Sequence, residues 1–143
     1  MTTGFQHLHS FLAYLALLGI IFSFVYALIG ALSGRSFEEK DRKFGLFGLI
    51  PAHLQLVIGL VLYFLSPLGF ANLSGETMSD SMSRLYALEH PIINIIAVAV
   101  ITVGYSRAKK LTDSRNRFRS IYMFYGVGLV LILSRIPWAA WLN

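Results

Sequence analysis

Histidine is the side chain of this sequence whose chemistry depends most on where it lies. Three of the four histidines, His9, His53 and His90, fall within or at the edge of long apolar runs. A neutral imidazole can ligate a metal ion or a haem iron, transfer a proton, or hydrogen-bond one helix to another. Ionisable groups are costly to place in hydrocarbon, so these positions indicate a functional site.

Two oppositely charged side chains accompany the histidines. Glu89 directly precedes His90, and Arg135 lies in the last apolar run. An ion pair between Glu89 and Arg135 would lower the cost of burying either charge. This structural role is one interpretation of both residues, and participation in a site is the other.

Two amide side chains lie near the histidines in the sequence. Asn94 lies one helical turn from His90, and Gln55 lies close to His53 in the sequence. Together they predict a polar column that conducts protons, orients a quinone headgroup, or only hydrogen-bonds helices to one another.

The composition predicts that membrane helices position these groups. Hydrophobic residues make up 56% and charged residues 13% of the 143 residues, and the mean hydropathy is +0.65. We expect one all-α integral membrane domain over residues 1–143, an up-down-up-down four-helix bundle. Its predicted helices are about 7–33, 45–66, 79–106 and 119–141. Residues 1–10 lack Lys and Arg, so the first run is interpreted as a retained helix.

The basic residues predict the orientation. Ten of the twelve Lys and Arg residues lie in two segments, 34–44 and 107–119. The positive-inside rule therefore predicts that these loops are cytoplasmic. Both termini then face the outer, periplasmic side of a bacterial cytoplasmic membrane. The high pI of about 9.7 is explained by these loops and by anionic lipid, and no nucleic-acid motif is present.

Depth along the helices separates the histidines. At about 1.5 Å per residue, His90 lies about 6 Å, Arg135 about 9 Å and His53 about 18 Å from the outer surface. His9 is at the outer edge of the first helix, diagonal to His90. We therefore expect His9 and His90 to bracket a planar haem, with Arg135 and Trp138 meeting its propionates. A hydrogen-bonded packing role is the alternative for each histidine.

Several classes of chemistry have no support in the sequence. The absence of cysteine excludes covalent haem attachment through Cys-x-x-Cys-His, cysteine-ligated iron-sulfur or zinc sites, and disulfides. Nucleophilic hydrolysis and phosphate chemistry lack their motifs as well. A membrane oxidoreductase is the enzyme class that remains open.

Several segments are similar to one family. The chain resembles small bacterial four-helix membrane proteins labelled cytochrome b or cytochrome b-like, through segments 8–10 (LHS), 52–55 (AHLQ), 62–67 (LYFLSP), 88–91 (LEHP) and 134–138 (SRIPW). The resemblance covers nearly the whole chain. It implies an integral membrane fold and noncovalent haem b, with ligands among His9, His53 and His90.

The leading hypothesis is a haem b protein that transfers electrons between a membrane quinol and an acceptor at the outer face. In it His9 and His90 are the axial ligands, while His53 with Gln55 forms a quinone or proton site. A cofactor-free conduit for a proton, a metal ion or a small solute is the second hypothesis, and it calls for a homo-oligomer. The third is an accessory subunit of a larger membrane complex.

Overall fold

The fold is a bundle of four long helices, as the composition predicts. The computed structural model describes residues 2–141. In chain order its helices are α1 (Thr2–Ser33), α2 (Glu39–Leu65), α3 (Gly75–Ser79), α4 (Ser81–Lys110), α5 (Ser114–Ser134) and α6 (Trp138–Trp141), with a 3₁₀ turn at Phe70–Asn72. Helices α1, α2, α4 and α5 are long and apolar enough to cross a membrane.

The helix bounds differ from the predicted ones where charged residues cap the helices. The second helix starts at Glu39 and not near 45, because the Glu38 and Asp41 side chains form a capping box. The last long helix starts at Ser114 and not near 119, because the Asp113 carboxylate accepts a hydrogen bond from Asn116 N at 3.0 Å. Hydropathy alone misses these turns because they are polar.

The C-terminal bound is the largest difference. The predicted helix 119–141 instead ends at Ser134, and the separate helix α6 follows. Arg135 leaves the helical region, with φ −130° and ψ 22°, and Pro137 disfavours helical backbone at the residue before it. The predicted first and third helices, 7–33 and 79–106, extend over Thr2–Ser33 and Ser81–Lys110.

The long helices form a ring in which each packs against two neighbours. Helix α1 packs against α2 and α5, and α4 packs against the same two helices. Helices α1 and α4 are therefore diagonal. A close backbone approach joins α1 to α2, where a Cβ on Gly19 would overlap the carbonyl oxygen of Phe47. Only glycine permits this contact without displacing one of the two helices.

The two ends of the bundle differ in character. We call the end that carries His9, His90 and Arg135 the histidine end, and the end that carries the ten basic residues the basic end. The fully buried side chains concentrate toward the basic end and include Ile20, Ile101, Phe118, Ile121 and Tyr125. The space between the helices is therefore filled with side chains on the basic side.

One buried carboxylate accepts hydrogen bonds from several groups at the basic end. The fully buried Asp41 accepts hydrogen bonds from Arg35 at 2.8 and 3.0 Å, from Tyr26 Oη at 2.7 Å and from Glu38 N at 2.7 Å. The Arg35 guanidinium lies 4.9 Å from the centre of the Phe118 ring. These contacts tie the segment between α1 and α2 to both helices and to α5.

The outward surface of the bundle suits hydrocarbon. Its exposed side chains are large and apolar along all four long helices, including Leu18, Phe64, Val103 and Val130. Apart from the carbonyls that Pro51 and Pro91 leave without a helical donor, the backbone of these segments hydrogen-bonds within the helices, as a lipid environment requires. The protein is a multi-pass membrane protein by these criteria.

Candidate functional site

A proline fixes the first turns of α4 near the candidate site. Pro91 has no N–H, so it cannot donate to the carbonyl of Ala87 four residues earlier. That carbonyl instead accepts a hydrogen bond from Tyr63 Oη of α2 at 2.8 Å. The preceding turn, Leu85–Glu89, is π-helical, a common device where a helix is interrupted near function. His90 directly follows this turn.

His9 and His90 meet across the diagonal of the bundle. Their ring centroids are 6.1 Å apart and their ring planes are inclined by 89°. The prediction that His9 lies close to His90 in depth, diagonally across the bundle, is therefore confirmed, while their role as ligands stays a prediction.

Main-chain and amide groups orient His90. The His90 Nδ1 atom lies 2.8 Å from the carbonyl oxygen of Arg135. Since a carbonyl only accepts, Nδ1 carries the proton and Nε2 of the neutral ring has a free lone pair. The Asn94 amide donates to the His90 carbonyl at 2.6 Å. This arrangement is the one that commonly orients a metal-ligating histidine.

A glycine makes room for the other histidine. A Cβ placed on Gly59 of α2 would lie 2.9 Å from Cε1 and 3.4 Å from Nδ1 of His9. Any larger residue would therefore displace the imidazole. Sequence reasoning missed Gly59, although a glycine within an apolar helix indicates a close approach.

Both histidines line one cavity of about 280 Å³. Its wall is mostly apolar, with contributions from all four long helices and from α6, and its polar groups include Gln55 and Asn94. Within residues 2–141, the buried atoms His9 Nδ1 and Gln55 Oε1 have no hydrogen-bond partner. Unsatisfied buried polar atoms are costly, and two of them on one cavity indicate that a ligand or water occupies it.

An ion cluster lies at the histidine end. The Glu89 carboxylate is 3.5 Å from Arg135 Nε and 2.7 Å from Arg84 Nε. The predicted Glu89–Arg135 pair is confirmed, and Arg84 is an addition. Arg84 precedes Glu89 by five residues, a spacing that an α-helix does not align but that the intervening π turn does. Nearby, hydrogen bonds from Ser83 hold the pKa of Asp80, which caps α4, below its usual range.

The predicted propionate partners lie beside the cavity. Trp138 Nε1 donates to the carbonyl of Leu133 at 3.0 Å, and neither Trp138 nor Arg135 lines the cavity. Trp141 lines it instead, and its Nε1 donates to Ser10 Oγ at 2.7 Å. Because the helix breaks before Pro137, Trp141 lines the cavity in place of Trp138. Helix periodicity could not predict this change.

His53 lies apart from the other two histidines. It is exposed on the outside of α2, with Nδ1 2.9 Å from its own Leu49 carbonyl. Gln55, predicted as its partner, lines the cavity. Within the part of the chain that the structure describes, no group of three or more His, Asp or Glu side chains could hold a metal ion. The three candidate metal ligands His9, His53 and His90 thus do not form one site.

Comparison with known proteins adds no assignment. No protein family, no curated protein and no solved structure matches this chain. The resemblance to cytochrome b-like proteins therefore stays a prediction, and the functional argument depends on the geometry of the site.

Proposed function

We propose that the protein binds one haem b noncovalently, with His9 and His90 as its axial ligands. The supporting observation is the 6.1 Å between the two ring centroids. With metal–imidazole bonds of about 2 Å, two imidazoles on opposite sides of one metal ion have ring centres about 6 Å apart. The 89° between the ring planes is compatible with this, because each ring is free to take its own orientation about the ligand axis.

The walls of the cavity fit a flat apolar group better than a hydrated ion. Small residues face it from two helices and the segment after α2, among them Ala13 of α1, Ala52 and Gly59 of α2, and Gly69. Its volume of about 280 Å³ lies just below the ~300–1,000 Å³ range of small-molecule sites. A macrocycle therefore needs displacement of apolar lining side chains such as Leu56 and Leu60.

The remaining residues of the histidine end complement the carboxylates of such a group. Arg84 and Arg135 provide two guanidinium groups against the single carboxylate of Glu89. Either guanidinium suits a propionate, because a guanidinium binds a carboxylate with two parallel hydrogen bonds. Arg135 is 45% exposed, so its side chain has room to turn toward the cavity.

Electron transfer is the function that follows. A bound haem supplies one-electron chemistry, while the protein supplies position, orientation and electrostatics. We place the basic end on the cytoplasmic side and the histidine end at the outer face of the bacterial inner membrane, by the positive-inside rule. Electrons then pass between a membrane quinol and an acceptor at the outer face.

A conduit through one copy of the bundle has less support. Beyond the cavity, Ile20, Ile101 and Tyr125 are fully buried and fill the space between the helices toward the basic end. Tyr125 Oη is also engaged, because it donates to the carbonyl of Gly45 at 2.7 Å. A polar solute would have to displace this packed layer.

Substitution of Gly59 by leucine tests the site. The new side chain would occupy the position of the His9 imidazole, so haem per chain should fall below about a tenth of the wild-type value. Haem is measured by absorption after purification from haem-supplied cells. Gly4→Leu is the matched control, because a Cβ on Gly4 meets no described atom within 4 Å. Equal haem content in Gly59→Leu and wild-type protein would contradict the proposal.

A further inference from the structure

His53 is an imidazole on a surface made for lipid. Ionisable side chains within membrane helices almost always face the interior of the bundle. His53 instead is exposed and lies in a shallow groove with Leu49, Ile50, Leu54 and Val57. In the apolar part of α2, residues 44–65, His53 is the only histidine. Its exposure calls for a partner that arrives from the lipid.

The hydrogen bonds around His53 define what that partner offers. Nδ1 lies 2.9 Å from the Leu49 carbonyl, which only accepts, so Nδ1 carries the proton. Nε2 of the neutral ring is therefore an acceptor. Thr102 Oγ1 of α4 lies 3.3 Å from Nε2, and that hydroxyl donates at the shorter distance of 2.7 Å to the Val98 carbonyl.

Nε2 is consequently short of a donor. When Thr102 bonds to Val98, two acceptors face each other at 3.3 Å. A donor from the lipid phase would satisfy the Nε2 lone pair, and the hydroxyl of a hydroquinone is such a donor. The ring and apolar tail of the same molecule match the apolar side chains of the groove.

We propose that the His53 groove binds the headgroup of a lipid-soluble hydroquinone, with one hydroxyl donating to His53 Nε2. This inference rests on the proposed function, because it places the electron donor of that function at a site outside the cavity. His53 precedes Gly59 by six residues, so the two levels differ by about 9 Å along α2. Because Gly59 approaches His9, helix α2 adjoins both the groove and the imidazole of His9.

The test is equilibrium binding of duroquinol to the full-length protein in lipid nanodiscs, measured without reference to turnover. We expect His53→Leu to weaken binding about tenfold, since the hydrogen bond to the lipid-facing Nε2 acceptor is lost. The leucine faces lipid, so the fold should be retained. His7→Leu, which removes an exposed histidine of α1, is the matched control and should bind as wild type does.

The outcomes separate this inference from the proposed function. Haem content should be the same in His53→Leu and wild-type protein, because His53 is outside the cavity. Wild-type protein that binds duroquinol through His53 but contains no haem would support the groove and overturn the haem assignment. Equal duroquinol affinity of His53→Leu and wild type would overturn the groove. A dimer that dissociates on His53→Leu, with no duroquinol bound, would instead assign the groove to a second copy of the chain.

Discussion

Replacement of His90 by alanine is expected to abolish haem binding. The substitution removes one of the two proposed axial nitrogens and breaks the hydrogen bond that joins α4 to the Arg135 carbonyl. Loss of an orienting partner alone typically lowers metal affinity 10–100-fold, so loss of the ligand itself should exceed about 100-fold. The measurement is titration of haem into the purified protein, followed by absorption.

His53→Ala is the matched control for this result. It makes the same chemical change at a histidine that the structure places on the lipid-facing surface of α2. Its haem affinity should remain within about twofold of wild type. Haem loss in His53→Ala with retention in His90→Ala would contradict the ligand assignment and return His53 to the coordination sphere.

Replacement of Asp41 by alanine should produce the largest loss of stability. The change leaves Arg35, Tyr26 and the Glu38 N–H without their shared acceptor at the basic end. Breaking a fully buried ion pair costs about 3–5 kcal/mol. Arg35 is 36% exposed, so water compensates part of the loss, and we expect about 2 kcal/mol.

Thermal unfolding in detergent, followed by circular dichroism, measures this effect. Asp113→Ala is the control, because that carboxylate caps α5 through one hydrogen bond to Asn116 N and should cost about 1 kcal/mol. The haem spectrum of folded Asp41→Ala should match that of wild type, since the cavity lies toward the other end of the bundle. Equal destabilisation by the two substitutions would show that the Asp41 network contributes no more than an ordinary cap.

The fold and the level of the histidine pair could be predicted because both follow from constants of the helix. A length of about 20 apolar residues identifies each span, and a rise of 1.5 Å per residue gives the relative depth of His9 and His90. The Glu89–Arg135 pair follows from the same counting. These inferences need no knowledge of how the helices are rotated.

The direction in which a side chain points could not be predicted in this way. His53 and Gln55 are two residues apart, yet one faces lipid and the other lines the cavity. Rotation about the helix axis depends on packing, and from residue 44 onward α2 is almost entirely apolar, so no polar stripe marks its outer face. Trp141 and Arg84 were missed because a helix break and a π turn precede the contacts that each of them makes.

The most direct measurement is the electron paramagnetic resonance spectrum of oxidised wild-type protein after haem supply, together with absorption in both redox states. Two neutral imidazoles on one haem iron predict a low-spin ferric signal and an absorption spectrum that changes on reduction. A purified, folded protein without a haem absorption band would contradict the account. A high-spin signal that shows only one axial histidine would contradict the pairing of His9 with His90.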